Sequence, residues 1–437
     1  MKTHVLIFTF HNSNRLEYAA GFLLNELLEM SFSFTGSEKE FDEFSGPKIN
    51  YSLIVRDESV QIIPSGLMEE TGIREQKIKV SRWEGIPVIF ANEQNSEIPF
   101  DIFSGTFYLL SRYEEYLPFI PDRHGRFHSR NSLALLNGFL EIPVINLWAI
   151  RLGALIEKKI RGAALKKKKF EWLSSIDVDR AWAYLNRNFL RTSGSLLKSL
   201  ISGGDLSKKI RILKGIEKDP FFTFDYIRKL HSDDPLRVKF FFLSGKPGGA
   251  DRNTDPRNNN WKELVSNLSR SFSIGLHPSI KSNKNISILR EEKKTLENIF
   301  SGPINSSRQH YLFLKFPATY RNLIEAGIEH DYSMGYADHT GFRAGTPTPF
   351  YYYDIPDEKI TTLRIYPFVV MDRTLLSYMK LDQEQSVKKI HSLIEAVYSS
   401  GGIFISLWHN DSLGDSGEWA GWRSVYSEMI SYLKSKG

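Results

Sequence analysis

Apolar and polar positions along this chain fall into two rhythms that change near residue 170. In the first stretch, up to residue 162, apolar runs of strand length occupy residues 5–10, 51–55, 60–64 and 86–91, and Leu, Ile and Phe at helical spacing predict helices over 15–30, 100–117 and 144–159. Beyond residue 170 short apolar runs alternate with amphipathic stretches. Strands are predicted at 170–176, 238–243, 272–276, 310–314, 332–336, 363–370 and 403–408, with helices at 261–269, 286–300, 318–326, 384–399 and 422–434. Seven strands, each followed by helix or loop, predict a parallel α/β barrel over residues 170–437, preceded by a smaller α/β domain over 1–162. In a barrel, residues just past the strand ends face one mouth. Between the two stretches, the charged residues 161–169 read as a solvated linker.

A length of 437 residues favours two domains over one core. The absence of cysteine excludes disulfides, thiolate ligands and a Cys nucleophile, so a metal would have to sit on His, Asp or Glu. The apolar run at residues 5–10 is too short for a secretory core and leads at once into Asn12, Asn14 and Arg15, so a first strand and a cytoplasmic location are expected. No window is long and apolar enough to span a membrane, which predicts no transmembrane segment. A net charge of +6 is modest for this length, and no basic helix interleaved with aromatics suggests a nucleic-acid surface; the excess favours anionic glycans or a membrane surface. Oligomeric state is not legible.

Candidate chemistry concentrates at the predicted strand ends. Ser175-Ile176-Asp177-Val178-Asp179 closes the first strand after the linker, and alternation points both carboxylates the same way. One could hold a cation while its neighbour takes a proton from water. Later strand ends deliver His277, then Arg308 and His310, then Asp338, His339 and Arg343, and last His409. Each alone reads as a helix cap or a hydrogen-bonded structural residue; their coincidence is what an Asp/His metal site needs. Asp122-Arg123-His124-Gly125-Arg126-Phe127-His128 is also rich in anion- and metal-binding groups, and its plainest reading is a solvated loop whose Asp and Arg residues pair.

The order Ser-Ile-Asp-Val-Asp, then Ile-Gly-Leu-His-Pro-Ser at 274–279, then an Arg-bearing strand, then Leu-Trp-His at 407–409, resembles the polysaccharide deacetylase family (NodB-homology, carbohydrate esterase family 4) over residues 170–437. The stretch Phe107-Tyr108-Leu109-Leu110-Ser111-Arg112-Tyr113-Glu114-Glu115-Tyr116 resembles an uncharacterised amino-terminal domain of some bacterial members, which brings no chemistry with it. The resemblance implies a distorted (β/α)7 barrel binding zinc or a similar divalent ion through Asp and two His. It makes Asp177 the catalytic base, Asp179 and His277 metal ligands, and His409 the general acid. The family's second ligand histidine is replaced by Lys281, so His310 is expected as third ligand, with His339 the other candidate. Arg308 is expected to hold the base, with Arg343 the alternative; Asp338, Arg343 and Trp408 are expected at the substrate, and residues 341–346 and 350–353 are candidate glycan contacts. The implied reaction is removal of an N-acetyl, or less readily an O-acetyl, group from a sugar of a bacterial surface polysaccharide or its precursor. The partner would be an acetylated glycan or lipid-linked sugar. Two other readings fit part of the pattern: a metal-dependent glycosyltransferase using the Asp-x-Asp pair under a nucleotide sugar, and a glycan-binding homologue inactivated at Lys281.

Overall fold

Val5, Ile7 and Phe8 are fully buried in β1 (His4–Phe8), as a strand covered on both faces requires. It lies between β2 (Ser31–Thr35) and β3 (Lys48–Tyr51), with β4 (Val60–Ile62) outside β3, in an all-parallel sheet of order β2-β1-β3-β4. A hairpin of β5 (Val80–Trp83) and β6 (Ile86–Ile89) follows. Its two-residue turn, Glu84-Gly85, puts both residues at positive φ (48° and 85°), the geometry that matches the twist of paired strands. The computed structural model describes residues 3–56, 58–93, 96–159, 168–186, 206–249 and 251–437. Most of the linker predicted at residues 161–169 therefore lies outside the described residues.

The second sheet has nine strands: β7 (Phe170–Val178), β8 (Val238–Phe242), β9 (Ser273–Leu276), β10 (Ser306–Ser307), β11 (His330–Asp331), β12 (Phe350–Asp354), β13 (Lys359–Ile365), β14 (Val370–Met371) and β15 (Gly402–His409). Their order is β12-β13-β11-β10-β9-β8-β7-β15-β14; β12 runs antiparallel to β13 and the other ladders are parallel. The mixed α/β class expected from the sequence is present. The ladder runs open from β12 to β14 among the described residues, so closure into a (β/α)7 barrel is not seen. No helix among those residues is long and apolar enough to cross a membrane.

Alternation along the strands separates two cores. On β8 and β15, Phe240, Phe242, Phe404 and Trp408 join the large outer core, whereas Phe241, Ile405 and Leu407 join a small inner one with Tyr332, Phe368 and Met371. The outer core is continuous with that of the first stretch. Tyr18 and Phe107 set their rings 5.1 and 5.0 Å from that of Tyr353, and Trp148 is fully buried in the same cluster. Buried polar contacts reinforce this junction. Arg15 forks onto Glu358 at 2.9 and 2.5 Å, and Glu115 accepts from Arg112 (2.8 Å) and twice from Arg343 (2.9 and 2.5 Å).

Four predicted strands differ from those observed. The run at 51–55 leaves the ladder after Tyr51, the last residue of β3, and Leu53, Ile54 and Val55 are exposed. The apolar run at 310–314 is a tight turn, His310–Leu312, because Tyr311 and Leu312 hold φ of 59° and 55°, and the ladder pairing falls earlier on β10. The run at 332–336 pairs earlier too, on β11. The run at 363–370 is split into β13 and β14 around Pro367, which lacks the N–H a ladder needs. Replacement of Glu115 by Gln would leave the Arg343 guanidinium, 4% exposed, without an anionic partner. The expected outcome is a loss of about 3 kcal/mol of stability, read as a lower midpoint in urea unfolding followed by far-UV circular dichroism.

Candidate metal centre and active site

Strand register assembles the site. Asp177 on β7 lies directly beside His409 on β15 and Phe241 on β8, and Phe241 in turn lies beside Gly275 on β9. Gly275 is required by this packing: a Cβ there would come within 2.5 Å of the Phe241 ring. One residue beyond β9 stands His277; one beyond β10 stands Arg308, and His310 follows in the turn. Asp179, His277 and His310 thereby bring one ligand atom each to within 4.8 Å of one another. They line a cavity of about 370 Å³ together with Asp177, Met371 and His409.

Hydrogen bonds set the chemistry of each imidazole. His277 Nδ1 meets the Arg308 carbonyl oxygen at 2.5 Å, and since a carbonyl only accepts, Nδ1 carries the proton and Nε2 keeps a lone pair. His310 Nδ1 donates to Asp251 at 2.7 Å; burial lowers the ring's pKa, but Asp179 and Asp251 raise it to about 9, so Nε2 also carries a proton that a cation would displace. The two Nε2 atoms lie 3.2 and 3.6 Å from Asp179 Oδ1. That oxygen is buried and has no hydrogen-bond partner, although lone carboxylate oxygens are costly to desolvate. A divalent cation would satisfy it. Two imidazoles and one carboxylate, with room in the cavity for a further ligand, form a donor set suited to a divalent metal ion. Burial opposes charge on Asp179, but His310, His277 and His409 hold its carboxyl well below the ordinary range.

Two acid–base groups flank this trio. The Asp177 Oδ1 accepts from Arg308 Nη1 at 3.1 Å, which leaves Oδ2, 3.9 Å from His277 Nε2, facing the ligands. Arg308 is fully buried and is itself held by Ser175 Oγ (2.7 Å) and the Tyr332 carbonyl (3.0 Å). His409 donates from Nδ1 to Asp372 (2.9 Å), and its backbone N–H donates to the other oxygen of that carboxylate (2.7 Å). Burial lowers the His409 pKa, but buried Asp372, aided by Asp179 and Asp177, overrides this and raises it to about 10. At neutral pH it is an imidazolium with Nε2–H left to donate.

The structure thus gathers Asp177, Asp179, His277, Arg308, His310 and His409 at one cavity, and it places the remaining expected residues elsewhere. Trp408 sits beside His409 in sequence, but alternation turns it to the opposite face, where it packs against Tyr426 at 5.0 Å. Arg343 is consumed by Glu115 and the Gly335 carbonyl, so it does not reach Asp177. Asp338 accepts from Ser129 and pairs with His128 at 2.9 Å, both of the first stretch, and does not line the cavity. His339 turns to the Thr340 carbonyl (2.8 Å) and takes no part in the ligand group. Asp251 and Asp372 were not anticipated. Asp372 follows an apolar run and was detectable by the strand-end rule, whereas Asp251 lies in an irregular loop with no periodic signal.

Residues 5–161 match the model of a family of unknown function, DUF7033. No curated protein matches the chain. Among solved structures the chain is similar to Puue allantoinase, with 12% identity over 61% of this chain and 84% of that one and a TM-score of 0.39. It is also similar to a probable polysaccharide deacetylase from Pseudomonas aeruginosa PAO1, with 11% identity over 61% and 85% of the two chains and a TM-score of 0.38. A third is a CE4 family pseudoenzyme from Bacillus anthracis, with 10% identity over 64% and 67% and a TM-score of 0.30. At TM-scores this low the likenesses assign neither residues nor activity to this chain.

Removal of the Asp372 charge tests the electrostatics of the site directly. In Asp372→Asn the His409 pKa is expected to fall from about 10 toward the ordinary imidazole range, read by NMR titration of the ring protons. An unchanged titration would show that Asp372 is not the source of the shift.

Proposed function

We propose that this protein is a metal-dependent deacetylase acting on an acetylated sugar of a bacterial surface glycan or its precursor. The observation that carries the reading is the Asp179, His277 and His310 donor set lying between a carboxylate held for proton abstraction and an imidazolium held for proton donation. Metal-dependent hydrolysis of an amide uses those three functions together. The motif order in the sequence supports the same class.

The roles follow from the contacts. Asp179, His277 and His310 would hold a divalent ion, with zinc the best match to two imidazoles and a carboxylate. When bound, such an ion supplies Lewis acidity, making a water more acidic and polarising the acetyl carbonyl. Asp177 accepts the proton of the attacking water at Oδ2, because Arg308 occupies Oδ1 and fixes the rotamer. His409 gives its Nε2 proton to the departing nitrogen, which leaves as the free amino sugar, and Asp372 stabilises the charged imidazole until then. Asp251 fixes the His310 tautomer, so His310 takes over the position that Lys281, in the short helix Ile280–Asn283, does not fill. In a metal-dependent glycosyl transfer the protonated His409–Asp372 pair would have no acid step to perform.

After zinc repletion, the full-length protein is expected to hold about one equivalent of metal by elemental analysis and to release acetate from N-acetylated sugars. Asp179→Ala and His310→Ala should each lose most of the bound metal. Asp177→Asn should retain it while kcat falls by about 10²–10⁴. Metal content indifferent to Asp179→Ala, with no acetate released, would sink the hydrolase reading.

A further inference from the structure

We propose that Arg123 makes the mouth of the cavity an anion subsite, so that the acetylated sugar accepted there carries a phosphate or a carboxylate. The proposal rests on the deacetylase reading for the word "acetylated" and on separate observations for the anion. Arg123 belongs to the first stretch of the chain, far in sequence from the metal ligands, yet it lines the same cavity as Asp179 and His310. It is exposed where Asp177 is buried, which places it at the open end.

The loop that carries it is fixed. Asp122 accepts from the backbone N–H groups of His124 (2.8 Å) and Arg126 (2.9 Å) and from Arg126 Nε (2.7 Å). Arg126 then donates from Nη1 to the Tyr311 carbonyl at 2.7 Å and from Nη2 to the Tyr378 hydroxyl at 3.3 Å. Tyr311 is the left-handed residue (φ 59°) immediately after His310, and its ring lies 5.3 Å from that of His124. The loop is therefore locked to the turn that presents a metal ligand, and Arg123 is held between two anchored neighbours.

Charge at the cavity is otherwise spoken for. Arg126 is neutralised by Asp122, and Arg373 is paired with Asp411 (3.2 Å) and Glu418 (2.8 Å). Asp177 is paired with Arg308, and Asp179 faces the two ligand histidines. Arg123 spends Nε on His124 (3.1 Å) and forms no ion pair among the described residues. Its remaining fork of N–H donors suits the oxygens of phosphate or carboxylate. Placed over a cavity that already holds the reacting groups, an unpaired guanidinium selects substrates by charge at a distance from the acetyl group.

Calorimetric titration of the zinc-repleted full-length protein tests this with three probes: methyl N-acetylglucosaminide, N-acetylglucosamine 1-phosphate and N-acetylglucosaminuronate. At least one anionic sugar is expected to bind about tenfold more tightly than the neutral one, and Arg123→Gln should erase that margin. Which anionic probe gains identifies phosphate or carboxylate as the group recognised. Equal affinities for all three, or a margin that survives Arg123→Gln, would overturn the subsite. Acetate release is assayed in parallel, so a protein that prefers anions through Arg123 without hydrolysing them retains the subsite and refutes only the deacetylase reading.

Discussion

The burial of a single guanidinium organises this site. Arg308 is completely removed from water on the inner face of the nine-stranded sheet, lies 4.6 Å above the Phe241 ring, and spends donors on Ser175, Asp177 and the Tyr332 carbonyl. A buried charge is tolerated only when a counter-charge and hydrogen bonds meet it, and Asp177 and Ser175 supply them for Arg308. The same residue's carbonyl fixes the His277 tautomer. Asp177 and His277 are thus oriented by one side chain and its own backbone, through three parallel strands.

The three imidazoles differ in the partner that each meets at Nδ1. Carbonyl and carboxylate acceptors on the Nδ1 atoms of His277 and His310 direct both Nε2 atoms toward Asp179, while Asp372, buried and bonded twice to His409, keeps that ring charged. The geometry sorts a collection of similar residues into three candidate ligands and two flanking side chains, Asp177 and His409. It does so with partners, Asp251 and Asp372, that lie outside the short motifs.

The first stretch of the chain bears on the site through packing and charge. Its aromatic residues share a core with the second sheet, its Glu115 takes up Arg343, and its Asp122–His128 loop closes one wall of the cavity through Arg126 and Tyr311. The pairing of Asp122 with Arg126 is what a solvated-loop reading of that motif expects; what such a reading omits is that the loop lines the cavity that also holds Asp179, His277 and His310.

Periodicity was enough to locate most strands and helices, because the burial of alternate or every third and fourth side chains is written directly into residue order. It also made Asp177, Asp179, His277 and His409 legible, since each follows an apolar run and a parallel sheet presents all such ends on one side. Residue order alone left three things open. Which face a strand-end residue takes was misjudged at Trp408, which alternation turns outward, and which neighbour captures a charge was misjudged at Arg343 and Asp338, both taken up by residues more than two hundred positions away. His310 was reached by motif order although its predicted strand is a left-handed turn, and Asp251 and Asp372 completed the site unannounced. Local sequence determines what can be buried and where chains can turn; the partner that settles each polar group is chosen only when distant segments meet, and that choice gives each of these aspartates, histidines and arginines its own surroundings.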